Sequence, residues 1–210
     1  MMDQKSKTLQ YYDDHANDFV SETINADMQS LYARFIQNLA NKDSLHILDL
    51  GCGSGRDVYY FANMGYQVIA IDGSQALINL AKYSYHIKLS KNTNISWQCL
   101  KFTDVAKLNW GHRFDGIWAC ASLLHVPYKE LPKLIEDLLE TLEADGVLYV
   151  SFKYGDAERV DNGRFFCDMN ETRWQDIVLQ LKTKVDYETW LSADVRPSSE
   201  IQWFNVMIKK

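Results

Sequence analysis

Leu45-His46-Ile47-Leu48-Asp49-Leu50-Gly51-Cys52-Gly53-Ser54-Gly55 decides the reading of this chain: a strand-like apolar run ends in three glycines that alternate with other residues. Glycine is required where backbone turns at positive φ or approaches a ligand that a Cβ would displace. Residues 56–64 read as a helix, whose first N–H groups have no partner inside the helix and point at the same place. A nucleotide-like ligand is therefore expected where the first strand ends. The spacing excludes two common phosphate sites. A dinucleotide fingerprint needs Gly or Ala at position 56, which is Arg56, and a P-loop needs Gly-Lys-Ser/Thr after a four-residue gap.

The following stretches narrow the ligand. Tyr66-Gln67-Val68-Ile69-Ala70-Ile71-Asp72 is a second short apolar run ending in a carboxylate, which can accept both hydrogens of a vicinal diol and would repel a 2′-phosphate. The competing reading is that Asp72 caps the next helix. Ile95-Ser96-Trp97-Gln98-Cys99-Leu100 leads to Phe102-Thr103-Asp104-Val105, and Arg113-Phe114-Asp115-Gly116-Ile117-Trp118-Ala119 leads to Cys120-Ala121-Ser122-Leu123-Leu124-His125-Val126-Pro127.

With Asp49-x-Gly51-x-Gly53-x-Gly55 first and these three after it in order, the chain resembles the class I S-adenosylmethionine-dependent methyltransferases. The resemblance implies S-adenosylmethionine as cofactor. Gly51, Gly53 and Gly55 would meet its methionine part, Asp72 the ribose, and Asp104 with the backbone of Val105 the adenine. Ala121 would approach the sulfonium, with Asp49, Cys52, Arg56, Gly73, Ser74 and Ala119 completing the shell. Asp104 follows Phe102-Thr103, where the family has a glycine.

The 210 residues, 47% hydrophobic and 24% charged, suit one globular domain over 1–210, with residues 1–41 as a helical N-terminal extension or lid. No apolar run is long enough to span a bilayer, and the N-terminus lacks a signal-peptide core, which predicts a cytoplasmic protein. The four cysteines form no C-x-x-C pair, so reduced thiols are expected, with neither disulfides nor zinc. A net charge of −6 argues against a broad nucleic-acid footprint.

Helices are expected over 5–14, 26–41, 56–64, 74–88, 129–143 and 171–182. Strands are expected over 45–50, 67–71, 95–100, 114–119, 145–152, 185–193 and 201–209. The helix over 129–143 takes Pro132 in its first turn and should stop before Asp145-Gly146. The last two strands form a hairpin around Arg196-Pro197-Ser198-Ser199. Alternating strands and helices predict an α/β fold: a Rossmann-like, seven-stranded, mostly parallel sheet with helices on both faces. The antiparallel last strand follows from the family resemblance.

The reaction would be an in-line displacement at the methyl carbon, resting on proximity and orientation without a metal. His125, beside the transfer point, is a candidate base; the alternative is that it shapes its loop or contacts the cofactor. Leu9-Gln10-Tyr11-Tyr12-Asp13-Asp14-His15-Ala16-Asn17-Asp18-Phe19 resembles the opening of many small-molecule methyltransferases, where a tyrosine closes the site. Tyr11, taken as catalytic, or Tyr12, taken as cofactor-binding, would do so here, unless these aromatics only pack on the sheet. Lys153, Tyr154, Arg159, Arg164 and Arg196 are expected, with His125, to bind an anionic or planar acceptor, unless the arginines pair with Asp156, Glu158, Asp161 and Asp168.

The favoured function is methyl transfer to a small molecule by a monomer or homodimer, without DNA or membrane as partner. The amino-methylation motif Asn/Asp-Pro-Pro-Tyr/Phe and the Pro-Cys motif of cytosine enzymes are both missing from the sequence. Methylation of tRNA or protein, and cofactor binding without catalysis, stay open.

Overall fold

The computed structural model describes residues 4–42, 44–88, 94–196 and 199–210. In chain order the strands are β1 (His46–Leu50), β2 (Gln67–Asp72), β3 (Ile95–Cys99), β4 (Phe114–Ala119), β5 (Leu142–Lys153), β6 (Glu158–Asp161), β7 (Arg164–Cys167), β8 (Asp186–Ala193) and β9 (Gln202–Lys209). The helices are α1 (Gln4–Asp14), α2 (Ala16–Thr23), α3 (Gln29–Asn38), α4 (Arg56–Asn63), α5 (Gln75–Lys88), α6 (Leu131–Thr141) and α7 (Glu171–Gln180).

Seven strands form one sheet in the order β3-β2-β1-β4-β5-β9-β8. β1 pairs in parallel with β2 and β4, and only β9 runs antiparallel to its neighbours β5 and β8. The order reverses between β1 and β4, which opens a crevice at their carboxyl ends, where such sheets hold ligands.

Both faces are covered, which explains why β1, β4 and β5 are nearly unbroken apolar runs. On one face Leu48, Ile117, Leu148 and Val206 pack with Leu134, Ile135 and Leu138 of α6 and Trp174 of α7. Fully burying each such side chain contributes roughly 1.5–3 kcal/mol. On the other, Ile47, Val68, Trp118 and Tyr149 pack with Tyr32 and Phe35 of α3 and Phe61 of α4. Within residues 4–41, α1 and α2 bring Leu9, Tyr12 and Phe19 over the crevice, while α3 packs Tyr32 and Phe35 into the core and lines the crevice with Ser30 and Leu31.

Three local expectations are corrected. Residues 16–23 form α2, where no element was expected. α6 ends at Thr141 and β5 starts at once, so Asp145-Gly146 is not a helix stop; it lies in an irregularity where Phe114 faces Leu142 but Gly116 faces Val147. The segment after β5 is a second hairpin, β6 with β7, turned by Asn162 and Gly163 at φ +48° and +80°. Asn-Gly is the commonest sequence for such a turn, because both central residues need positive φ. In the β8–β9 connection, Pro197 and Ser198 lie outside the described residues.

Candidate functional site

The bend after β1 brings backbone to the crevice. Gly51 has φ +88°, and a Cβ on it would stand 2.4 Å from that of Ser122. Gly53 has φ +49°, and a Cβ there would stand 2.9 Å from the Phe19 ring. These two positions need glycine for conformation and for space. Beside them lies a cavity of about 160 Å³, roofed by Leu9, Tyr12 and Phe19, with Leu77, Leu100, Phe102 and Val126 as apolar walls and Asp72 as its acid.

The Asp72 carboxylate accepts the N–H groups of Gly53 at 2.9 Å and Ser74 at 2.8 Å. Burial pushes its carboxyl up to about 6, against the lowering effect of those bonds. Two other polar atoms, Asp49 Oδ2 and Ser122 Oγ, are buried without a hydrogen-bond partner. Such groups are rare and call for a partner. An acid for a vicinal diol, an apolar slot for a flat ring and two orphaned oxygens beside a glycine bend fit a nucleoside carrying a polar tail.

A second cavity, of about 420 Å³, adjoins the first, and both are lined by Tyr12, Phe19, Gly51, Gly53, Ala121 and His125. Ala121 takes φ +51°, a left-handed conformation that disfavours any Cβ, and its N–H donates to Ser151 Oγ at 2.8 Å. Strain of this kind concentrates at functional sites.

His125 sits in a short helical turn, Leu123–His125. Its Nδ1 lies 2.6 Å from the carbonyl of Phe165, which can only accept, so Nδ1 carries the proton. Nε2 therefore accepts the Tyr12 hydroxyl hydrogen, at 2.8 Å. Burial lowers the imidazole to about 4 and raises the Tyr12 phenol to about 12, so both are neutral at ordinary pH.

The roof is latched on both sides. Asp13 of α1 accepts from Ser74 Oγ at 2.6 Å and from the N–H of Ala76 at 3.2 Å, at the start of α5. Thr8 accepts the N–H of Phe165 from β7 at 3.0 Å, and the Arg164 guanidinium lies 4.5 Å from the Tyr11 ring centre.

Of the expected site residues, Gly51, Gly53, Asp72, Gly73, Ala121, Tyr12 and His125 line the first cavity, and Cys52, Arg56, Lys153, Arg164 and Arg196 line the second. Gly55 caps α4 against Ala81 and Trp97, Ser74 caps α5, and Ala119 and Val105 are core residues. Asp104 pairs with Lys107 at 2.8 Å and does not line the cavity; the wall there is Phe102 and Thr103. Tyr11 stacks on His15, so the tyrosine in the site is Tyr12. Tyr154 is exposed and its hydroxyl reaches Glu171, while Arg159 is forked onto Asp168 at 3.0 and 3.1 Å; neither lines either of these two cavities.

Sequence reasoning passed over Phe19 as a site residue, although it stands in the aromatic N-terminal stretch. It also passed over Leu9 and Phe102, which stand in the quoted stretches beside the residues taken for the site.

Residues 47–146 match a family model described as "Methyltransferase domain". A ubiquinone biosynthesis O-methyltransferase of Coxiella burnetii is 30% identical over 118 residues, 56% of this chain and 47% of that protein. The chain thus spans about half the length of the curated relatives it matches. Magnesium protoporphyrin IX methyltransferase from Synechocystis, solved with bound SAM, superposes with a TM-score of 0.74 over 100% of this chain and 98% of its own, at 16% identity. The 1,6-didemethyltoxoflavin-N1-methyltransferase of Burkholderia thailandensis gives 0.71 over 98% and 86%, at 18% identity. At such identities the superpositions speak for the fold. The methyltransferase-domain match over residues 47–146, a little under half of the chain, runs from β1 into β5 and takes in the glycine bend beside the cavity at the β1–β4 switch.

Proposed function

We propose that this protein transfers the methyl group of S-adenosylmethionine to a small-molecule acceptor. One observation carries the reading: two cavities meet at Gly51, Gly53, Ala121, Tyr12, Phe19 and His125, which lets one hold the donor and the other the acceptor. In the first, Asp72 would bind the ribose, the Leu77, Leu100, Phe102 and Val126 walls the adenine, and the Gly51–Gly53 backbone with Asp49 and Ser122 the methionine part. The bound donor supplies a methyl carbon whose C–S electron pair leaves with sulfur.

The chain's part is to align the acceptor, exclude water beneath Leu9, Tyr12 and Phe19, and take up a proton. Tyr12 already gives its hydrogen to His125 Nε2. The proton of an acceptor hydroxyl or amine can therefore pass to Tyr12 Oη while Tyr12's own passes to His125, and from there to water. The second cavity is of small-molecule size. The four free cysteines of the chain suit a reducing compartment, and no described helix is long and apolar enough to cross a membrane, so we assign the protein to the cytoplasm.

The test is incubation with methyl-labelled donor and a bacterial metabolite extract, with calorimetry against S-adenosylhomocysteine alongside. Label in a product that passes ultrafiltration is expected. Label in RNA or protein would replace the acceptor class, binding without transfer would point to a sensor, and absence of binding would end the assignment.

A further inference from the structure

Four cationic side chains line the second cavity, and two of them are already neutralised. Arg56 donates to Asp57 at 2.6 and 2.9 Å, and Arg196 is bound to Asp194 through both side chain and backbone. Lys153 and Arg164 differ: neither enters an ion pair among the described residues. Lys153 ends β5 and Arg164 begins β7, so the hairpin brings them together from positions eleven apart in sequence.

Both stand at the Phe166 ring next to His125. Lys153 Nζ is 3.9 Å and Arg164 Cζ 5.2 Å from its centre. Arg164 Nε is buried without a hydrogen-bond partner. The carboxylate in this part of the lining, Asp161, is exposed and lies 3.9 Å from Arg159. Burial and the neighbouring guanidinium groups of Arg159 and Arg164 lower the Lys153 ammonium from its usual value. Arg159 also stands at this ring, 4.9 Å from its centre, but is spent on Asp168, and Arg164 reaches the Tyr12 hydroxyl while its Nε stays free. Two like charges at one ring without a carboxylate of their own are the complement of an oxyanion.

We propose that Lys153 and Arg164 clamp a carboxylate, phosphate or phosphonate carried by the acceptor, and that this anion is a handle while methyl transfer occurs at a separate X–H group facing Tyr12. The proposal deepens the function given above and rests on it. An oxyanion bound to two cations has its lone pairs engaged and is a poor nucleophile. It also has no proton to give, whereas the Tyr12–His125 pair is built to take one.

The test uses the full chain saturated with S-adenosylhomocysteine and titrated with benzoate, phenylphosphonate and neutral benzamide. Both anions should bind, more weakly as salt rises, and benzamide should not. Lys153→Met and Arg164→Met should each weaken benzoate about tenfold or more, with S-adenosylhomocysteine affinity unchanged as proof of folding. The exposed Lys129→Met should leave benzoate binding as it was. Equal binding of benzamide, no anion binding, or benzoate affinity retained in the double variant would overturn the clamp. Failure of the unaltered protein to bind S-adenosylhomocysteine would instead overturn the function beneath it. Labelled product from the metabolite extract should elute from an anion exchanger with the full negative charge of its unmethylated acceptor; product carrying one negative charge fewer would show that the oxyanion itself is methylated, against the proposal.

Discussion

At Asp72, burial and function pull in opposite directions. To accept two hydroxyl hydrogens the group must be ionised, yet burial holds its carboxyl at about 6. Affinity for S-adenosylhomocysteine should therefore fall as pH drops through 6, toward tenfold per unit, and Asp72→Asn should bind weakly with that step gone, by calorimetry from about pH 5 to about pH 8. A raised carboxyl also means that the fold binds this proton more tightly than the unfolded chain does. The stability of the ligand-free protein from this group is thus full below about pH 4 and is lost as pH rises through 6. His125 carries the opposite sign: its folded value of about 4 lies below that of a free imidazole, so it stays neutral until strongly acid pH. His125→Asn should reduce kcat by about 10²–10⁴-fold with cofactor affinity unchanged, and full activity there and in Tyr12→Phe would remove the relay. Lys153 and Arg164 both help to hold the imidazole down, so a bound anion should raise it. The acid limb of kcat should then lie at higher pH than that of kcat/KM.

Among the elements, the β6–β7 hairpin and α1 build the site from outside the sheet. The hairpin supplies Arg164, the Phe165 carbonyl that fixes the His125 tautomer, and Phe166. Gly163 at φ +80° meets only ordinary contact with Tyr11, so Gly163→Ala is opposed by conformation rather than by space, at roughly 1–2 kcal/mol. Acceptor KM should rise several-fold while S-adenosylhomocysteine affinity holds, in steady-state assays and calorimetry. α1 is tied to α5 by Asp13, and losing such a cap typically removes about 1 kcal/mol. Asp13→Ala should therefore release S-adenosylhomocysteine about five-fold faster in stopped flow, with little change in fold. No element was expected between residues 153 and 170, although Asn162-Gly163 is a hairpin signal, because the flanking Arg159-Val160-Asp161 lacks a clear apolar alternation. β7 buries only Phe166 and Cys167, which is too short a signal against the surrounding charge.

Across the molecule, the buried Asp57 joins site and core. It accepts from Arg56, from Trp118 Nε1 at 2.8 Å and from the Tyr32 hydroxyl, linking α4 to β4 and α3. Burial would raise its carboxyl, but Arg56 and these donors outweigh it and hold it below the usual range. Its stabilising contribution is present above the unfolded value near 4 and is lost as pH falls below that. Asp57→Ala leaves three buried donors without their acceptor, a loss of roughly 3–5 kcal/mol. Thermal unfolding should shift down by on the order of 10 °C.

The sequence by itself determined the sheet, the glycine bend and Asp72, because each is a local consequence: buried strands must be apolar, tight turns at a ligand must be glycine, and a strand-end acid follows from one short segment. Tertiary structure alone decided which charges are spent and which polar groups meet. Tyr12 and His125 are 113 positions apart, and nothing local couples them. Arg159, Arg164 and Arg196 look alike in sequence; folding puts Asp168 on the first and Asp194 on the third and leaves the second facing the cavity. A charge's availability depends on its neighbours in space, and only the folded chain supplies those.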